Sequence, residues 1–169
     1  MLSQTLLALL GRDLGAIRRE LEAYADEAVI WAPVPGIPNS AGVLTRHIAG
    51  NLQHYVGAVL GRSGYVRDRD AEFNAPPWPR PRLMTALRAT EEAVASVLPS
   101  LTPEQLASRY PEPVAECQLE TGDFLCHLAV HCGFHLGQIG YHRRAATGDR
   151  TSIGPMGVGA LASARAAGA

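Results

Sequence analysis

From Ser3 to about Glu27 the apolar residues Leu6, Leu10, Leu14, Ile17, Leu21, Tyr24 and Ala28 return at steps of three and four, with Arg18, Arg19, Glu20 and Glu22 mostly between them. That period predicts an amphipathic first helix. Trp31-Ala-Pro33-Val-Pro35-Gly-Ile-Pro38 forbids its continuation, because three prolines and a glycine set an extended connector. Asn39 or Ser40 can then cap a second helix carrying Val43, Leu44, His47, Ile48, Asn51, Leu52, Tyr55, Val56 and Val59 up to Gly61. Residues 62–81 lose the period: charges alternate from Arg67 to Glu72, and four prolines follow before Arg82. A loop of this length in a compact bundle points to a segment that covers or builds a site.

Leu83, Leu87, Val94 and Leu98 mark a third helix of about eighteen residues, counted at the 3.6-residue period. Thr102-Pro-Glu-Gln105 has the cap, first-turn proline and returning Gln of a capping box, starting a short helix near Leu106. Pro111 to Glu120 reads as irregular or weakly extended. A fourth long helix, from about Thr121 to Ala146, places Leu125, Leu128, Ala129, Leu136 and Ile139 on its apolar faces and is stopped by Gly148. Four such helices cannot bury their stripes alone, so the expected fold is an all-α four-helix bundle over residues 1–147. A flexible Gly/Ala-rich tail is expected over residues 148–169.

Composition narrows the function classes. A chain of 169 residues is the size of one domain, and 47% hydrophobic residues support a full core. A formal charge of −1 offers no basic field for a phosphate backbone, so no nucleic-acid partner is expected. No stretch reaches the ~18 apolar residues of a membrane span, and the start at Met1-Leu-Ser-Gln lacks a basic signal region, so the expected protein is soluble and cytoplasmic. All fifteen basic residues are arginine, from which no function follows. The cysteines Cys117, Cys126 and Cys132 have no CxxC spacing and read as reduced, mostly buried thiols.

The chemical signal lies in the six histidines, all inside two predicted helices. On the fourth, His127, His131, His135 and His142 fall at about 0°, 40°, 80° and 60°, a narrow stripe. His131 and His135, at i and i+4, put two imidazoles about 6 Å apart at Cβ, the spacing by which one helix gives a metal two ligands. A third must come from another helix, and His47 or His54 could supply it. A lone helical histidine is usually a surface or core residue, but four on one face would need four separate partners if merely buried. A mixed Cys/His site is the competing arrangement, although Cys126 and Cys132 do not point along the direction of His131 and His135.

Three segments together carry a family likeness: Leu44-Thr-Arg-His47-Ile-Ala-Gly-Asn51-Leu, Tyr65-Val-Arg-Asp-Arg-Asp-Ala-Glu72-Phe, and His131-Cys-Gly-Phe-His135-Leu-Gly-Gln138-Ile. On these the chain resembles the DinB superfamily, the four-helix-bundle proteins that include the thiol-dependent YfiT and mycothiol-dependent maleylpyruvate isomerase branches. The resemblance implies an up-down-down-up bundle, frequent homodimers, and a divalent transition metal (Zn, Ni or Fe) on His47, His131 and His135, with His54, His127 and His142 not among the ligands.

Three histidines with an open position describe a catalytic rather than a closed site. The expected activity is a metal-dependent enzyme that activates a water or a low-molecular-weight thiol, as a hydrolase or thiol S-transferase on a small-molecule substrate. The alternative is a non-catalytic stress-response protein that binds a metal or small ligand. Asn51, His54, Tyr55 and Gln138 are the candidate substrate contacts, and no carboxylate is clearly placed as a general base. The Arg67-Asp-Arg69-Asp segment reads as a structural ion-pair cluster in preference to a substrate contact.

Overall fold

Leu6, Leu10, Leu14, Ile17 and Leu21, spaced to face one way on a helix, are all at most 2% exposed. They lie on α1 (Leu2–Glu22) in the computed structural model, which describes residues 1–153, 157–159, 161 and 163–167. Three further long helices complete the bundle: α2 (Ala41–Leu52), α4 (Arg80–Val97) and α6 (Thr121–Thr147). Two short ones, α3 (Arg69–Asn74) and α5 (Pro103–Leu106), sit in the connections, and no strand occurs among the described residues. α1 packs on α6 and α4, and α2 packs on the same two. α1 and α2 therefore occupy opposite corners, with the core of Leu14, Ile48, Leu87 and Leu128 between all four. Burying each such side chain contributes roughly 1.5–3 kcal/mol.

The local stop and start signals are met by the expected atoms. Ser40, not Asn39, caps α2, its Oγ accepting the Val43 N–H at 3.3 Å. Thr102 and Gln105 form the reciprocal capping box of α5. Gly148 adopts φ 73° and donates its N–H to Arg144 O, which ends α6. Between α5 and α6 only isolated bridges form, Arg109 with Glu120 and Val114 with Cys117.

Three details depart from the expected elements. α1 ends at Glu22, five residues early, because Asp26 accepts the Ala28 N–H and starts a separate 3₁₀ turn over Glu27–Trp31. The loop expected over 62–81 contains α3, capped by Asp68, whose carboxylate accepts the Ala71 N–H at 2.9 Å. α2 continues past Leu52 as a π-helix, Gln53–Leu60. A π turn closes on i−5 rather than i−4, so every residue after Leu52 is rotated out of the register that the α period assumes.

α6 is tied to α1 by a charge rather than by packing alone. Arg143 is fully buried. Its Nε donates to Glu20 Oε2, its Nη1 to Asp149 Oδ2 at 2.8 Å and its Nη2 to Thr151 O. Arg19 Nε also donates to Ile153 O, so residues 149–153 of the expected tail hydrogen-bond to the bundle. Residues 154–156, 160, 162 and 168–169 of that tail lie outside the described residues. Glu20→Ala removes the buried partner of a buried cation and is expected to cost about 3 kcal/mol in urea unfolding. Loss at the exposed neighbour, Glu22→Ala, should stay within about 0.5 kcal/mol.

Candidate metal centre

The contact between α2 and α6 brings three imidazoles to one point. His47, 7% exposed, comes from α2, and the half-buried His131 and His135 come from successive turns of α6. His131 Nε2 lies 3.0 Å from His135 Nε2 and 3.4 Å from His47 Nε2. One ring nitrogen from each of the three falls within 4.8 Å of the others. The rings meet edge to face, with interplanar angles of 86° to 89°.

Proton placement suits this cluster to act as a ligand set. His47 Nδ1 lies 2.9 Å from Glu72 Oε2, and His135 Nδ1 lies 2.6 Å from Gln138 Oε1. Both oxygens only accept, so each Nδ1 carries the hydrogen and each Nε2 is turned toward the cluster. Burial, and then the like charge that His135, His47 and His127 would carry, pushes His131 down to about 4. Burial lowers His135 as well, against the opposing hydrogen bond from Gln138. These two rings are therefore neutral at pH 7. The three Nε2 atoms then face one another, and the neutral His135, with its hydrogen on Nδ1, presents a lone pair there. A divalent transition metal fits this donor set, since neutral imidazole is a usual ligand for Zn, Ni or Fe.

The support for His47 comes from the charged segment after α2. Arg67 grips Glu72 with two bonds, Nε to Oε1 at 2.6 Å and Nη2 to Oε2 at 2.9 Å. Glu72 is 3% exposed, and burial alone would raise its carboxyl. The hydrogen bonds from Arg67 and His47 outweigh that burial and hold it below the usual carboxylate range. Space for the carboxylate exists because residue 50 is glycine: a Cβ there would collide with Glu72 Oε1. Arg46, next to His47, donates through Nε to Glu72 O at 2.7 Å and through Nη1 to Ala75 O and Pro76 O at 3.1 Å. Asp68 caps α3, Asp70 accepts from Asn74, and Arg69 lies over Phe73. The segment is an ion-pair and capping cluster that positions a ligand. Glu72, which orients His47, is the residue that the pattern of the chain did not single out: it lies 25 positions from His47 across a non-periodic stretch.

The remaining expected residues take different places. Asn51, one turn beyond His47, is buried, and its Oδ1 has no hydrogen-bond partner among the described residues. Gln138 is engaged with His135 through its Oε1. Tyr55 packs edge-on against Phe124, with the Arg67 guanidinium 5.5 Å from its ring centre. His54 lies in the π segment and bonds Glu112 Oε1 at 2.9 Å, so the seven-residue spacing from His47 does not bring it to the cluster. His127 is exposed and stacks on His131, with planes 15° apart. His142 is structural: its Nε2–H donates to Ala32 O at 2.9 Å and its Nδ1 accepts from the Tyr24 hydroxyl at 2.8 Å. Cys132 is buried as expected, but Cys117 and Cys126 are exposed because they fall on the turn before α6 and on its outer face. No cysteine joins the cluster among the described residues.

A family model for the DinB superfamily matches residues 10–139. The chain belongs to the DinB superfamily. No curated protein matches it.

Support for His47 can be broken at either end. Glu72→Gln removes the anionic acceptor, and Gly50→Ala displaces it without replacing any titratable residue. Both are expected to weaken Zn²⁺ binding about 10–100-fold in competition with a chromophoric chelator. Wild-type affinity in both variants would separate Glu72 from the centre.

Proposed function

We propose that this member of the DinB superfamily is a metal-dependent enzyme that activates a water or a low-molecular-weight thiol, acting on a small-molecule substrate as a hydrolase or thiol S-transferase. The observation behind this reading is the convergence of three imidazole nitrogens with two of the rings fixed by outward Nδ1–H bonds. His47, His131 and His135 would hold the metal. When bound, a divalent metal supplies Lewis acidity, which can lower the pKa of a water from ~15.7 to ~7 or favour a thiolate. Three protein ligands leave room for a substrate group, as catalytic sites of this kind do.

The chain's own residues supply orientation. Glu72 and Gln138 fix the tautomers of His47 and His135, and Arg67 keeps Glu72 charged. Asn51 offers an unengaged buried carbonyl oxygen one turn from His47, suited to accept a hydrogen bond from a substrate donor. His54 and Tyr55 complete the proposed substrate contacts. His54 is held in place through Nε2 on Glu112 Oε1.

Protein purified without a histidine tag should contain about one transition metal per chain, the stoichiometry of a three-ligand mononuclear site. His131→Ala should lose the metal and any turnover in a screen of thiol conjugation and of ester and amide hydrolysis. Turnover indifferent to chelator would remove the basis of the mechanism. Bound metal without turnover would favour the metal- or ligand-binding stress-response role instead.

A homodimer belongs to the same proposal. Val130, Phe134 and Tyr141 are exposed along one side of α6. A groove of about 540 Å³ runs beside them between α6 and α1, lined by Leu2, Leu6, Leu9 and Ala129. Exposed apolar surface of this kind marks an association site. Val130→Glu is expected to shift sedimentation from dimer to monomer with the metal content unchanged, and monomeric wild-type protein would end the dimer reading. A cytoplasmic location is likewise proposed; no helix among the described residues is long and apolar enough to cross a membrane.

A further inference from the structure

A separate cavity of about 320 Å³ lies between α2, α4 and the segment joining them. It shares Glu72 with the metal centre as a wall but contains none of the three histidines. Its size suits a ligand of several heavy atoms. Two cations line it, Arg46 and Arg82, both over the Trp78 ring: their guanidinium carbons lie 5.4 Å and 3.9 Å from the ring centre.

Neither cation has a carboxylate partner among the described residues. Arg46 is 2% exposed, spends Nε and Nη1 on backbone carbonyls, and leaves Nη2 buried without a partner. Arg82 is exposed, and its guanidinium stacks on Trp78 with no hydrogen bond or ion pair among the described residues. The two acids on the wall are committed elsewhere: Glu72 to Arg67 and His47, Asp68 to the cap of α3. The Arg82 guanidinium and the buried Nη2 of Arg46 thus present N–H groups without a partner among the described residues beside a low-dielectric space, the arrangement that suits an oxyanion. The remaining wall is mostly small and apolar, with Ala49, Ala86 and Ala89 leaving the room and Tyr65 and Gln53 at its polar edge.

We infer that this cavity is a second small-molecule site, one that takes an organic anion: an oxyanion head on Arg82 above Trp78, and a short apolar body against the alanines of α2 and α4. Arg82 supplies the direct charge-assisted hydrogen bonds, and the buried Arg46 supplies a fixed positive potential behind the wall. The site stands independently of the metal, because nothing in it uses a lone pair of the histidine cluster.

Benzoate is the probe, titrated calorimetrically into the full chain while the indole N–H resonance of Trp78 is followed. Saturable binding is expected, with a shift of that resonance. Arg82→Gln, at an exposed position that leaves the core intact, should weaken binding at least tenfold, and Ala86→Leu should weaken it by filling the space. Affinity should persist in His131→Ala, and the neutral isostere benzamide should not bind measurably. The inference is overturned by absence of saturation, by equal affinity in Arg82→Gln, or by equal binding of benzamide. Loss of benzoate binding in His131→Ala would also overturn it, by placing the anion at the histidine cluster.

Discussion

Glu72 is a carboxylate buried where a lone charge could not remain, and the groups that keep it charged join an irregular segment to the bundle. Arg67 fills both of its oxygens from one side, and His47 donates to one of them from the other. Its backbone carbonyl accepts from Arg46, the residue beside that same histidine. Glycine at position 50 lets the carboxylate come this close to α2. The orientation of His47, and with it the direction of its Nε2, follows from this one arrangement. The α6 side needs less, because two imidazoles one turn apart are already aligned by the helix and only His135 requires an anchor, from Gln138 three residues on.

Histidines on one stripe of α6 divide according to what meets each nitrogen. His142 has an acceptor for one ring nitrogen and a hydroxyl donor for the other, so its polarity is fully satisfied and it closes the packing between Tyr24 and Ala32. His131 has no hydrogen bond to an oxygen among the described residues; its Nε2 meets the Nε2 atoms of His47 and His135. Helical angle cannot tell these two apart, since both face the bundle. The difference is supplied by the neighbouring helix and connector, whose positions depend on the whole fold.

Periodicity revealed the four long helices because each has a stripe that must be buried, and it located caps such as Thr102 with Gln105 because their partners are three residues apart. It also revealed the pair His131 and His135, which needs only one helix. The choice of His47 over His54 was not available from an α period, because the chain changes to π-helical winding at Gln53. Glu72 was illegible for a related reason: its role depends on a non-repeating segment folding back over Gly50. The ion pairs of that segment were visible as alternating charge, but not which of them would reach a ligand.

The π-helical stretch of α2 has one more consequence. Upstream of Leu52 the helix is locked in phase with α6 by the core and by His47, whereas Gln53–Leu60 winds about the same axis with a different number of residues per turn. A π turn is geometrically one residue inserted into an α-helix. Helix phase beyond Leu52 is therefore decoupled from the histidine that precedes it. Tyr55 and His54 are thereby carried to faces that an α register counted from His47 would not give them, where Phe124, Tyr110 and Glu112 meet them.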